Sequence, residues 1–136
     1  LKFVAEKQGV KFYDDSIATT PGSAIAALRS FDGGKVIILG GSDKGASYGE
    51  VVAVAKQEGA RVVAIGQTGQ AIYDLCLDLG VPAVREEGLM EEVVGRAAEL
   101  SAPGDVVILS PASASFDQYQ SYADRGDKFI KAVKSL

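Results

Sequence analysis

Three short apolar runs, KVIIL at 35–39, RVVAI at 61–65 and DVVIL at 105–109, constrain this chain more than anything else in it. None alternates apolar with polar residues. A strand with one wet face alternates, whereas a strand covered on both faces does not need to. The runs are too short for helices and rich in β-branched residues, so each reads as a buried strand. Turn residues follow each one: GGSDKG at 40–45, GQTG at 66–69 and SPASAS at 110–115. A helical pattern comes after each loop. Strand, loop and helix in regular succession indicate a parallel sheet covered on both faces. The expectation is an α/β fold, a three-layer Rossmann-like domain with a mostly parallel sheet of about six strands flanked by helices.

The remaining elements fit that frame. Leu1–Ala5 and Val10–Tyr13 read as strands joined by a turn at Gln8–Gly9. Pro21 suits the first turn of a helix over Gly22–Phe31, with Thr19 or Thr20 as its cap. Further helices are expected from about Tyr48 to Glu58, from Gln70 to Leu79 with a stop at Gly80, and from Met90 to Leu100. Val81–Val84 reads as a short edge strand. A last helix is expected from about Tyr119 or Gln120, or slightly later, to about Val133.

Composition removes several classes of function. The chain has 136 residues, the size of one domain, with a formal net charge of -4 and 14 scattered Lys and Arg. Nucleic-acid binding needs a basic patch, so no nucleic-acid partner is expected. There is no His and one cysteine, Cys76. Ser–His and Cys–His dyads and the common zinc sites are therefore excluded. Cys76 lies in a helical pattern and reads as a small buried apolar residue. No apolar run reaches the roughly 20 residues that span a bilayer. The opening LKFVAEKQGVK mixes charge with apolar residues and is not a signal peptide. No membrane association and a cytoplasmic location are expected. The chain starts without Met inside a strand-like run, which reads as a domain separated from a longer parent.

Three loops can carry chemistry. LGGSDKG at 39–45 lets the backbone approach an anion, with Lys44 as a point charge, although it is neither a dinucleotide fingerprint nor a P-loop. DDSIATTP at 14–21 offers hydroxyls and carboxylates; it is equally a helix cap. SPASASFDQY at 110–119 interleaves serines with Pro and Ala where core packing does not call for them. Its serines read as donors converging on an anion, with Phe116 and Tyr122 as walls. Ser115 or Asp117 is also a plausible cap. Asp124–Arg125–Gly126–Asp127 contains RGD, read as chance in a helical pattern.

Taken together, DS-x-AT at 15–19, LGG-xx-KG at 39–45, LSPA-x-ASFDQ-Y at 109–119 and RG-xx-F at 125–129 resemble a family. The set is similar to the C-terminal domain of the D-glutamate-adding Mur ligases, and the resemblance covers essentially the whole chain, 1–136. It implies that an N-terminal domain and a central ATP-binding domain are absent from this chain. It implies an ATP-dependent ligase of peptidoglycan synthesis that adds D-glutamate to UDP-N-acetylmuramoyl-L-alanine and is inactive as the isolated domain. ATP and Mg²⁺ are implied as cofactors, held mainly by the absent central domain. By position, Thr19, Lys44, Ser115, Phe116 and Tyr122 would contact D-glutamate and Asp15 would face the nucleotide; no catalytic residue and no metal ligand is implied here. Ile17 stands where the family usually has Lys, and Thr20 where Asn is common. Two rival readings are a free-standing Rossmann-like module for a nucleotide or other anion, and a related ligase using another amino acid.

Overall fold

The computed structural model describes residues 1–43, 45, 47–115 and 118–136. Lys44, Ala46, Phe116 and Asp117 lie outside the described residues. Six strands form one sheet: β1 (Lys2–Lys7), β2 (Val10–Asp14), β3 (Lys35–Gly40), β4 (Arg61–Ile65), β5 (Ala83–Arg85) and β6 (Val106–Leu109). Their spatial order is β1-β2-β6-β3-β4-β5. β1 pairs antiparallel with β2, and every other pairing is parallel. The hairpin turn places Gln8 and Gly9 at φ 53 and φ 79. Two successive residues of positive φ twist a two-residue turn in the sense that paired strands require.

Among the described residues the helices are α1 (Pro21–Arg29), α2 (Gly49–Gln57), α3 (Gly69–Leu79), α4 (Met90–Glu99) and α5 (Tyr122–Lys134). The apolar runs explain the layers, because successive strand residues point to opposite faces. Ile37, Leu39, Val62 and Ala64 pack with α1, α2 and α3. Val36, Ile38, Val63 and Ile65 pack with α4 and α5. Val36, Ile37, Ile38 and Leu39 are all at 0% exposure. Both faces of β3 are therefore closed, and the lack of alternation in KVIIL is accounted for.

The element boundaries follow local chemistry. Thr20 caps α1 by accepting from the Ser23 N–H at 3.3 Å, with Pro21 first in the helix. Gly80 closes α3 in the left-handed conformation at φ 76, as the sequence suggests. Ser121 caps α5 by accepting from the Asp124 N–H at 3.0 Å. The cap expected at Ser115 is thus six residues further on; Asp117 lies outside the described residues. The short edge strand falls at Ala83–Arg85, beginning two residues and ending one residue later than Val81–Val84. Gly40 ends β3 at φ +122, and a Cβ there would run into the Ile65 carbonyl. Only glycine fits that position.

At the N-terminal end of the strands, opposite charges tie the elements. Lys35 Nζ meets Glu58 Oε1 at 3.0 Å, and Arg61 meets Asp105 at 2.8 Å. Cys76 is buried, which pushes its thiol up to about 11. A thiol held there is not a nucleophile at neutral pH. Among the described residues no helix is long and apolar enough to cross a membrane.

Candidate functional site

The connectivity brings three loops to one edge. The helices after β2 and β3 lie on one face of the sheet, and the helix after β6 lies on the other. β6 sits between β2 and β3. A crevice therefore opens beside the C-terminal end of β6, the place where sheets of this kind bind ligands.

Backbone hydrogen bonds stitch the loops in the order of their strands. The Ala112 N–H donates to Ala18 O at 2.9 Å, joining the β6 loop to the β2 loop. Gly40 N–H donates to Pro111 O at 2.8 Å, and Ser42 N–H to Ala114 O at 2.8 Å, joining the β3 loop. Thr68 N–H donates to Gly41 O at 3.1 Å, joining the β4 loop. Ala112 holds a φ of 59 to make these bonds. Left-handed alanine is uncommon and mildly costly, and such strain is concentrated at functional loops.

The serines of SPASAS point mostly inward. Ser110, Ser113 and Ser115 are all buried. Ser110 Oγ donates to Asp15 Oδ2 at 2.9 Å. The Ser113 hydroxyl pairs with the Tyr48 hydroxyl and lies 3.4 Å from Thr68 Oγ1. Two of the three hydroxyls are thus tied into the protein, and neither belongs to the expected D-glutamate contacts, which include Ser115 alone of the three. Residue types at a strand exit show that donors are present but not which way they face. Ser115 differs. Its carbonyl accepts from Gln118 and Tyr119, and its hydroxyl makes no hydrogen bond to a described residue.

Arg125 lies beneath the loops at 0% exposure. Its Nε donates to Ser16 Oγ at 2.9 Å, Nη2 to Ser16 O at 2.7 Å and Nη1 to Ser113 O at 3.0 Å. Ser16 Oγ in turn donates to Tyr122 O at 2.6 Å. A guanidinium removed from water needs such partners. It lies in a helix as expected of the RGD stretch, yet it is the centre of the loop cluster. Sequence reasoning missed it; the signal was RG-xx-F, quoted as a family mark without a role.

The other expected site residues divide by exposure. Thr19 is exposed on the β2 loop next to Ala18. Tyr122 is 47% exposed at the start of α5 and lines a cleft of about 350 Å³ with Asp14, Ser16 and Ile17. Asp15 is buried and lines a second cleft of about 380 Å³ with Ile17, Ala18 and Ala27. Ile17 lines both clefts and is 64% exposed. Lys44 and Phe116 lie outside the described residues. Burial pushes the Asp14 carboxyl up; the Ser16 N–H opposes this and Asp15 reinforces it.

The match to known proteins decides the family. Residues 1–113 fit the model of the Mur ligase, glutamate ligase domain. The chain belongs to this family. Relatives of this Mur ligase domain align over its whole length. A UDP-N-acetylmuramoylalanine--D-glutamate ligase of Desulfosudis oleivorans is 44% identical over 136 residues, 100% of this chain and 29% of that protein. Proteins of the same name from Geobacillus kaustophilus and Lactobacillus helveticus are 43% and 38% identical over 100% of the chain and 30% of their own length. The Mur ligase domain thus spans about three-tenths of the curated relatives it matches. Two solved structures share the fold. One is a Haemophilus ducreyi domain assigned to a UDP-N-acetylmuramate:L-alanyl-gamma-D-glutamyl-diaminopimelate ligase, with TM-score 0.63, 14% identity and 98% of each chain covered. The other is the UDP-N-acetylmuramate-alanine ligase of Thermotoga maritima, with TM-score 0.57, 16% identity and 98% of this chain against 29% of that one.

Asp15 Oδ2 accepts from Ser110 Oγ at 2.9 Å. A carboxylate has about four acceptor positions, so Asp15 retains acceptor capacity. Among the described residues no group of three His, Cys, Asp or Glu could hold a metal ion. What the crevice can do chemically is bind and orient: its hydroxyls and backbone N–H groups suit a carboxylate.

Proposed function

We propose that this domain is the amino-acid-binding part of an ATP-dependent ligase that joins D-glutamate to UDP-N-acetylmuramoyl-L-alanine in peptidoglycan synthesis, in the cytoplasm. The observation that carries the reading is the alignment of D-glutamate ligases over the whole chain at 38–44% identity. The crevice supports it. Thr19 and Ser115 stand on neighbouring loops tied through Ala18 and Ala112. In this proposal Thr19, Ser115 and Lys44 bind the carboxylates of D-glutamate, and Phe116 and Tyr122 wall the pocket. Asp15 holds a ribose hydroxyl. ATP, when bound with Mg²⁺ on another part of a longer protein, supplies the phosphoryl group that activates the acceptor carboxylate. The domain's contribution is to set the amine in place, since positioning supplies much of such a barrier. Nothing in the comparisons favours a free-standing binding module.

The test is phosphate release by the full-length ligase given UDP-N-acetylmuramoyl-L-alanine and ATP, with D-glutamate, L-glutamate or L-lysine in turn. Release with D-glutamate alone is expected, with a loss in Lys44→Ala and Ser115→Ala. Release only with another amino acid keeps the ligase and moves the substrate. The isolated domain should bind D-glutamate with a Kd on the order of millimolar or weaker, because an exposed lysine–carboxylate pair contributes only about 0–1 kcal/mol. A micromolar value by titration calorimetry would refute that.

A further inference from the structure

Beneath the crevice lies a chain of buried hydroxyls. Tyr48 is buried at the start of α2, immediately after the glycine loop. Its hydroxyl pairs with Ser113 Oγ, which lies 3.4 Å from Thr68 Oγ1. Thr68 Oγ1 is 3.4 Å from Gly41 O and accepts from the Gly41 N–H at 3.1 Å. The protons close in one direction: Tyr48 donates to Ser113, Ser113 to Thr68 and Thr68 to Gly41 O. Each hydroxyl donates once, and linked hydrogen bonds of this kind polarise and strengthen one another. Three loops meet in the chain, those after β3, β4 and β6. The Ser113 carbonyl also takes Arg125 Nη1, which adds α5.

We infer that Tyr48, Ser113 and Thr68 are positioning residues that fix the start of the glycine loop, residues 40–43, against the 110–115 loop and so set the spacing of the groups that hold the amino acid. The inference rests on the functional reading above. Apolar side chains of the same size would fill this space without fixing direction; hydrogen bonds fix both distance and direction. The contact leaves no slack. A Cβ on Gly41 would run into Ala114 O and come within 3.0 Å of Ser113 Cβ. None of the three hydroxyls reaches the crevice as a ligand donor in this arrangement, because each has its partner inside the protein.

Tyr48→Phe, Ser113→Ala and Thr68→Val in the full-length ligase test it by two readouts. Amide hydrogen exchange at Gly41 and Ser42 should accelerate about tenfold in Tyr48→Phe, the size of one lost buried hydrogen bond. The KM for D-glutamate should rise about five- to tenfold and the KM for ATP should move less. Tyr48→Phe combined with Ser113→Ala should be no worse than Ser113→Ala alone, because both cut the same chain. Unchanged exchange at Gly41 and Ser42 overturns the inference whatever the substrate proves to be. A lower Tm with an unchanged KM for the amino acid also overturns it, since that is what a merely structural role gives. If the wild-type enzyme turns over no D-glutamate, the functional reading fails, and the exchange result still decides the hydroxyl chain.

Discussion

Lys35 and Arg125 are both withdrawn from water, one at the N-terminal end of the strands and the other at the C-terminal end. Lys35 is held locally. Its ammonium meets Glu58 Oε1 at 3.0 Å and Glu58 O at 3.5 Å, which fastens the end of α2 to the start of β3. Arg125 branches. Its donors reach the β2 loop at Ser16 and the β6 loop at Ser113 from a helix that follows both. A point charge serves where one helix end must be fastened. A planar, forked donor serves where separate loops must be kept at fixed distances. The two ends of one sheet thus separate holding the fold together from holding a site in shape.

The sharpest way to break that comparison is Arg125→Met. It leaves Ser16 and Ser113 oxygens buried and unmatched, and should cost about 3 kcal/mol or more in urea denaturation. Arg125→Lys should fall between, because one ammonium cannot reproduce the fork. A cost for Arg125→Met below about 1 kcal/mol would mean that the loops do not depend on it.

The next effect tests the local pair. Glu58→Ala strands the Lys35 ammonium inside the protein and should cost about 2 kcal/mol. Lys35→Met should cost less, below about 1 kcal/mol, because the Glu58 side chain is 30% exposed and can turn to water. The reverse order would show that Glu58, not Lys35, is the member that needs its partner.

The smallest effects concern pH. Burial holds the Asp14 carboxyl above its ordinary 3.8. The folded protein therefore keeps that proton more tightly than the unfolded chain. The contribution to stability is full below 3.8 and is lost as pH rises through the raised value. Asp14→Asn should gain stability relative to the parent between pH 3.5 and pH 7. Glu86 runs the other way. The Gly88 N–H and Arg96 hold it below 4.5, against burial. Its contribution is present above 4.5 and is lost as pH falls through the lowered value. Glu86→Gln should be weaker than the parent at pH 7 and equal to it at the acid end. Urea midpoints for both variants at each pH check the signs.

The sheet was legible because burial on both faces leaves an unbroken apolar run, and glycines and Pro21 punctuate the rest. The crevice was legible as a place for the same reason, since strand ends and their loops follow from strands. Its interior was not. Ser110, Ser113 and Ser115 have the same side chain in one short segment, yet only Ser115 keeps its hydroxyl clear of the described residues. Direction depends on a left-handed Ala112 that nothing in its residue type announces. Arg125 was hidden because its letters read as a chance RGD in a helical pattern, and arginines are mostly exposed. The last helix starts at Tyr122 because Ser121 offers the cap, one of several serines that could have done so.

Gly40 has a consequence for the gene as well as for the fold. Every base change that alters the meaning of a glycine codon either adds a Cβ or stops the chain. At residue 40 any Cβ meets the Ile65 carbonyl. No single-base change that alters this residue therefore leads to a tolerated one. Gly45 also has a positive φ, +77, but has open space around it and should fail more gently. In a saturation scan the first loop of the crevice should begin with a position that accepts nothing else, while substitutions a few codons downstream are graded by backbone strain alone.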